Sequence, residues 1–146
     1  MSDELASVQP TVLLVDDEPD ERLLIRRELE KAGMQVYECN SGAAALEKLT
    51  EMTPSVILLD VIMPGKDGIE TCKEIRSFQE CKDIPILMLT GVDGLDYIRR
   101  AFDAGATDFI TKTTTLHFVS QRVKYALRNN SRTQDLQSWQ QQLKQV

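Results

Sequence analysis

The sequence predicts an α/β fold: a doubly wound, five-stranded parallel sheet with helices on both faces. Two apolar runs, Thr11-Val-Leu-Leu-Val15 and Ser55-Val-Ile-Leu-Leu59, have a period that is neither two nor 3.6, the pattern of short strands buried on both faces. Each runs straight into acid and then a breaker, Asp16-Asp17-Glu18-Pro19 after the first and Asp60-Val-Ile-Met-Pro64-Gly after the second. Strand-like and helix-like segments alternate along the whole chain, which calls for parallel strands joined by right-handed helical crossovers. The common order for five such strands is 2-1-3-4-5, a general rule and not a property of these residues.

Taken in order, residues 1–10 form a polar leader and residues 11–15 the first strand. Pro19 suits the first turn of a helix, with Asp20 and Glu21 favourable at its positive end. That helix runs to about residue 32, stops at Gly33 in the left-handed conformation, turns Leu24, Ile25 and Leu29 inward, and keeps Arg22, Arg26 and Arg27 mostly outward. Residues 34–39 are a second strand, Asn40-Ser41-Gly42 a turn and cap, and residues 43–50 an alanine-rich helix. After the strand ending at Asp60, Asp67 with Glu70 three residues on resembles a capping box. Its helix reaches about residue 78, and Ile69, Cys72 and Ile75 share one face, so Cys72 is read as core. Residues 84–89 form a fourth strand ending in Thr90-Gly91. Asp93 then caps a helix whose stripe is Tyr97, Ile98, Ala101 and Phe102 and which ends at Gly105. Residues 106–110 form the fifth strand, and a last helix begins near Thr114 or Thr115 with Leu116, Val119, Val123 and Ala126 at heptad-like spacing.

Composition narrows the function. A chain of 146 residues, 42% hydrophobic and 27% charged, fits one soluble globular domain with a little to spare. The net charge of -6 argues against a nucleic-acid surface covering the whole domain. Three cysteines, Cys39, Cys72 and Cys81, without a Cys-x-x-Cys pair indicate neither a disulfide framework nor a zinc site. The first residues carry acids where a signal peptide needs a basic start, and no apolar run approaches the roughly 20 residues that span a bilayer, so a cytoplasmic protein is expected.

The topology brings the acids together. If strands one and three are neighbours, about 4.8 Å apart, their carboxyl ends place Asp16, Asp17 and Asp60 in one crevice. Alone, Asp60 serves equally as the residue that starts a turn, and the Asp16-Asp17 pair as a helix cap. Crowded into one crevice, the carboxylates repel, and a divalent cation relieves them. Mg²⁺ suits best, being hard and commonly held by one or two carboxylates. Strands four and five deliver Thr90 and Lys112 to the same edge, a hydroxyl and an ammonium of the kind a phosphoryl group needs. Asp60 is then a candidate nucleophile, because carboxylates form aspartyl-phosphate intermediates.

The motifs Val-Asp16-Asp17-Glu, Leu-Leu-Asp60-x-x-Met-Pro-x-x-Asp-Gly, Leu-Thr90-Gly and Phe109-x-x-Lys112 occur in that order. On them the chain resembles the receiver domain of bacterial two-component response regulators from about residue 11 to 130. The resemblance implies a flavodoxin-like fold and a phosphoprotein in which Asp60 accepts a phosphoryl group from a histidine kinase or phosphotransfer protein. It also implies Mg²⁺ on Asp17 and Asp60, the backbone carbonyl of Ile62 as a further ligand, and Asp16 acting mainly through water. Thr90 and Phe109 become a switch pair, with signal leaving through the face of the fourth helix, fifth strand and fifth helix. One departure stands out: Thr113 follows Lys112 where the family usually has a proline in a cis peptide. A non-proline cis bond costs roughly 2.5 to 4 kcal/mol, so the lysine is expected to be less firmly positioned. Ile62 and Val92 occupy positions that tune phosphoryl lifetime in the family. Both are apolar, and slow self-dephosphorylation is expected.

From Thr115 to the end a continuous helix would run about 48 Å, too long for one packed helix of so small a domain. Leu136, Trp139, Leu143 and Val146 keep a 3-4-3 spacing. They read as a helical linker over residues 131–146 that pairs in a dimer and leads to an output domain outside this chain. The stretch around residues 106–112 with Arg122 to Arg128 looks like receivers that precede cyclic-di-GMP domains. Arg122, Lys124, Arg128 and Arg132 read as a solvated face, not a nucleic-acid contact, because no reading module follows. His117 reads as a helix-surface residue. The rival enzyme is a Mg²⁺-dependent phosphatase with an aspartyl nucleophile. It would place a second Asp where Ile62 stands, so the chain is read as a signalling receiver that catalyses only its own phosphorylation and dephosphorylation. An FMN carrier is disfavoured because Asp16-Asp17-Glu18 would repel the phosphate.

Overall fold

The structure, a computed structural model, describes residues 9–91, 95–112 and 115–144, with side chains at all of these except 95 and 131–144. The elements follow in the order β1 (Thr11–Val15), α1 (Pro19–Lys31), β2 (Gln35–Cys39), α2 (Gly42–Lys48), β3 (Val56–Asp60), α3 (Gly68–Arg76), a 3-10 turn (Gln79–Cys81), β4 (Ile86–Thr90), α4 (Leu95–Asp103), β5 (Asp108–Thr111) and α5 (Leu116–Lys144). All strand pairings are parallel and the sheet order is β2-β1-β3-β4-β5, as the sequence predicts.

The alternation of side chains along each strand splits the core in two. Leu13, Val15, Ile57, Leu59, Ile86 and Met88 face α2, α3 and α4. Val12, Leu14, Leu58, Leu87, Leu89 and Ile110 face α1 and α5, where Ile25, Leu29, Val119 and Val123 meet them. β3 and β4 are buried at every position, which is why neither run alternates. Burial of these runs supplies the main driving force, at about 25 cal/mol for each Å² of apolar surface removed from water.

Local signals agree with the elements. Pro19 opens α1 with Asp20 and Glu21 in its first turn, and Gly33 follows its end at a φ of 93°. The Ser41 hydroxyl caps α2, and the Asp67 carboxylate caps α3 by accepting from the Glu70 amide at 2.8 Å. β4 begins at Ile86 and not at 84, because Pro85 offers no ladder donor. All three cysteines are buried, and burial pushes the Cys72 thiol up to about 11, in keeping with a core role.

Three expected inward residues are not inward. Leu24 is 52% exposed, because Ile25 and Leu29, four apart, already form the buried stripe of α1. Phe102 and Leu116 are exposed as well, at the edges of their helices. Arg22 is drawn in, holding Glu38 at 3.0 Å and the Asp16 carbonyl at 2.6 Å. The cap expected at Asp93, the peptide after Lys112, and the side chains of Leu136, Trp139 and Leu143, with Val146, lie outside what is described.

Candidate functional site

Asp16, Asp60, Thr90 and Lys112 all stand at the carboxyl edge of the sheet. Asp60 is the last residue of β3, between β1 and β4, with only 2% of its surface exposed. Its Oδ2 accepts from Lys112 Nζ at 3.1 Å, and its Oδ1 receives the Ile62 amide at 3.4 Å. Burial pushes the Asp60 carboxyl above its ordinary range, and the ammonium of Lys112 only partly offsets that. The loop that turns away from Asp60 requires Gly68, whose amide donates to the Val61 carbonyl at 2.7 Å. A Cβ there would lie 2.1 Å from the Asp60 carbonyl oxygen. Glycine therefore lets the first turn of α3 press against the backbone of the acid.

Asp16, just past β1, is fully buried. Its Oδ1 accepts from the Glu18 amide at 3.0 Å, while Oδ2 has no hydrogen-bond partner. Burial pushes this carboxyl up to about 8, and the neighbouring carboxyls of Glu21 and Asp60 add to the rise.

Lys112 follows β5. Its amide donates to the Thr90 carbonyl at 2.7 Å, which fixes where its side chain starts, and its Nζ reaches both Asp60 and Glu21, the latter at 2.9 Å. Burial works against the Lys112 ammonium, but the two carboxylates outweigh it and leave its pKa above the ordinary value. Thr90, buried at the end of β4, stands one residue beyond Leu89, which is in register with Asp60. Phe109, in β5, is half-buried and packs against the core on the α2, α3 and α4 side.

The structure thus assembles Asp16, Asp60, Thr90 and Lys112 at one edge, with Ile62 in the loop beside them. To the acids of the sequence reading it adds a further one, Glu21. Carboxylate oxygens of Asp16, Glu21 and Asp60 all lie within 4.8 Å of one another, whereas Asp17 is half-exposed and outside that group. Glu21, in the first turn of α1, tilts back toward the strand it has just left.

A cation fits this cluster on the structure's own terms. Three carboxylates offer hard oxygen donors, and the unpartnered, buried Oδ2 of Asp16 leaves an unmet demand for positive charge that Lys112, engaged by Asp60 and Glu21, does not fill.

The chain is similar to known proteins over most of its length. The model of the response regulator receiver domain matches residues 12–124. The transcriptional regulatory protein ResD of Bacillus subtilis is 41% identical over 122 residues, covering 84% of this chain and 50% of that protein. The DNA-binding dual master transcriptional regulator RpaA of Synechocystis is 32% identical over 123 residues, covering 84% of this chain and 51% of that protein. Among solved structures, chemotaxis protein CheY4 of Vibrio cholerae superposes with a TM-score of 0.79 at 29% identity, covering 82% of this chain and 99% of that one. The chain spans about half the length of the curated relatives it matches.

Proposed function

Because the chain belongs to the response regulator receiver domain family, we propose that Asp60 is its phosphoacceptor and that Lys112 and Thr90 receive the transferred group. The observation that carries this is the buried Asp60 carboxylate at the end of β3 with the Lys112 ammonium 3.1 Å away. An Asp60 oxygen attacks phosphorus, the P–O bond forms as the P–N bond to the donor imidazole breaks, and that bond's electron pair returns to the ring nitrogen. Lys112 and the Thr90 hydroxyl then stabilise the equatorial oxygens. Asp16 and Asp60 would hold Mg²⁺, with Asp17 and the Ile62 carbonyl added by the family resemblance. When bound, the ion supplies charge neutralisation at the phosphoryl oxygens. The Thr90 and Phe109 pair would carry the change to the α4-β5-α5 face.

The donor is a histidine kinase or phosphotransfer protein. A groove of about 490 Å³ beside Lys112, walled by Leu24, Leu116 and Val119 and rimmed by Glu18 and Asp20, offers it an apolar seat next to the acceptor. Homodimers would form through α4-β5-α5 or the C-terminal part of α5, and residues 131–146 would link residues 11–130 to an output domain. RpaA is a DNA-binding regulator and ResD a transcriptional one, which supports a DNA-binding output domain over a cyclic-di-GMP one, so the expectation of no direct nucleic-acid contact applies to residues 1–146 alone. No helix among the described residues is long and apolar enough to cross a membrane, and a cytoplasmic location accords with that. The chain acts as a receiver that turns over only its own phosphoryl group. A phosphatase would need an acid where the side chain of Ile62 stands half in solvent.

The test is incubation with Mg²⁺ and a small phosphodonor, read by intact mass. A gain of one phosphoryl group that disappears in Asp60→Ala is expected. The same gain in Asp60→Ala would overturn the assignment.

A further inference from the structure

Lys112 makes two ion pairs of nearly equal length, 3.1 Å to Asp60 and 2.9 Å to Glu21. The Asp60 end is sealed, with 3% of the side chain exposed, while the Glu21 end is 29% exposed. Glu21 is also the one member of the carboxylate cluster that is carried by a helix and not by a strand end. Its side chain can rotate toward solvent without disturbing the sheet, whereas Asp60 cannot. The ammonium therefore sits between a fixed carboxylate and a movable one.

Resting on the phosphoacceptor reading, we propose that Glu21 is a positioning residue for Lys112: it holds the ammonium as a shared counter-ion in the resting site and surrenders it when a phosphoryl group arrives on Asp60. Two consequences follow from the charges alone. At rest, the second anion keeps Lys112 extended into the site without the full strength of its pairing falling on Asp60, so the nucleophile's lone pairs are less committed. With a phosphoryl group present, breaking the Glu21 pair subtracts from what Lys112 contributes to holding it. Glu21 thus aligns the lysine and also limits how tightly the site retains a phosphoryl group.

The experiment uses beryllium fluoride as a phosphoryl mimic at saturating Mg²⁺, with the ¹⁹F resonance of the bound form as readout. Glu21→Gln, which keeps the shape and removes the charge, is expected to bind the mimic about fivefold more tightly, the size of one partly exposed ion pair. Glu30→Gln removes an equal charge from the exposed far end of the same helix and is expected to leave the affinity unchanged. Equal or weaker binding in Glu21→Gln, or an equal gain in Glu30→Gln, would overturn the role of Glu21. Asp60→Asn separates the two readings. Its loss of binding is expected, and retained binding in that variant would sink the phosphoacceptor reading instead.

Discussion

Replacing Asp16 by Asn should make the cation-free protein more stable at neutral pH. Asp16 is fully buried and its Oδ2 has no partner, so the folded state resists ionising it and its carboxyl is raised from 3.8 to about 8. The folded pKa is above the unfolded one, so between those values the folded chain retains a proton that the unfolded chain has released. Stability is then full below about pH 4 and falls as pH rises toward 8, by at most about 1.4 kcal/mol for each unit. Asp60, raised in the same direction, adds to the slope. Over the window the loss is on the order of a few kcal/mol, a large part of a small domain's margin. Asn cannot ionise, so Asp16→Asn should gain about 2 kcal/mol over the parent at pH 7.5 in chelator and flatten the pH dependence, leaving the part due to Asp60. Urea denaturation at half-unit steps from pH 5 to 8 with EDTA measures this. Adding Mg²⁺ should reverse the ranking, since only the parent keeps the full set of donors. An Asp16→Asn protein less stable than the parent in chelator at pH 7.5, or one with an unchanged slope, would refute the reasoning.

Two further substitutions probe the acceptor's surroundings. Gly68→Ala should destabilise by about 1 to 3 kcal/mol and slow phosphorylation, because its Cβ would lie 2.1 Å from the Asp60 carbonyl and push the acid out of line. Denaturation midpoints and the intact-mass time course read both effects together. Ile62→Asn should shorten the phosphoryl half-life while leaving the melting temperature within a degree or two, since Ile62 is 52% exposed and contributes little to the core. An unchanged or longer half-life removes the role assigned to that position.

The architecture was legible because each strand announces itself twice, by an unbroken apolar run and by the residue that ends it. The acceptor crevice was legible for the same reason, since Asp16, Asp60, Thr90 and Lys112 are all residues at or just past a strand end. What escaped was the part of the site not borne by a strand. Glu21 read as an acid serving the positive end of α1, which it also does, and only the backward tilt of side chains in a first helical turn points it at Lys112. An acid at the third position of a helix that leaves an acid-ended strand is the signal that could have found it. Asp17, adjacent to Asp16 in the sequence, falls where the chain has left β1 and bends, and it is not part of the Asp16, Glu21 and Asp60 group. Leu24 and Phe102 were misplaced because a leucine or phenylalanine at the edge of an apolar stripe satisfies the spacing equally well on either side of it.

α5 starts four residues after Lys112 and continues unbroken for 29 residues, about 43 Å at 1.5 Å per residue. Its first turns are bolted to the sheet through Val119, Val123 and Ala126, and the helix continues from there to Lys144. Such a rod works as a lever with a short arm at the site and a long one beyond it. A tilt of roughly 5° about Val123 displaces Lys144, about 32 Å along the rod, by about 3 Å, roughly half the ~5.4 Å pitch of a helix. Small adjustments around Lys112 are therefore magnified along α5 toward its distal end.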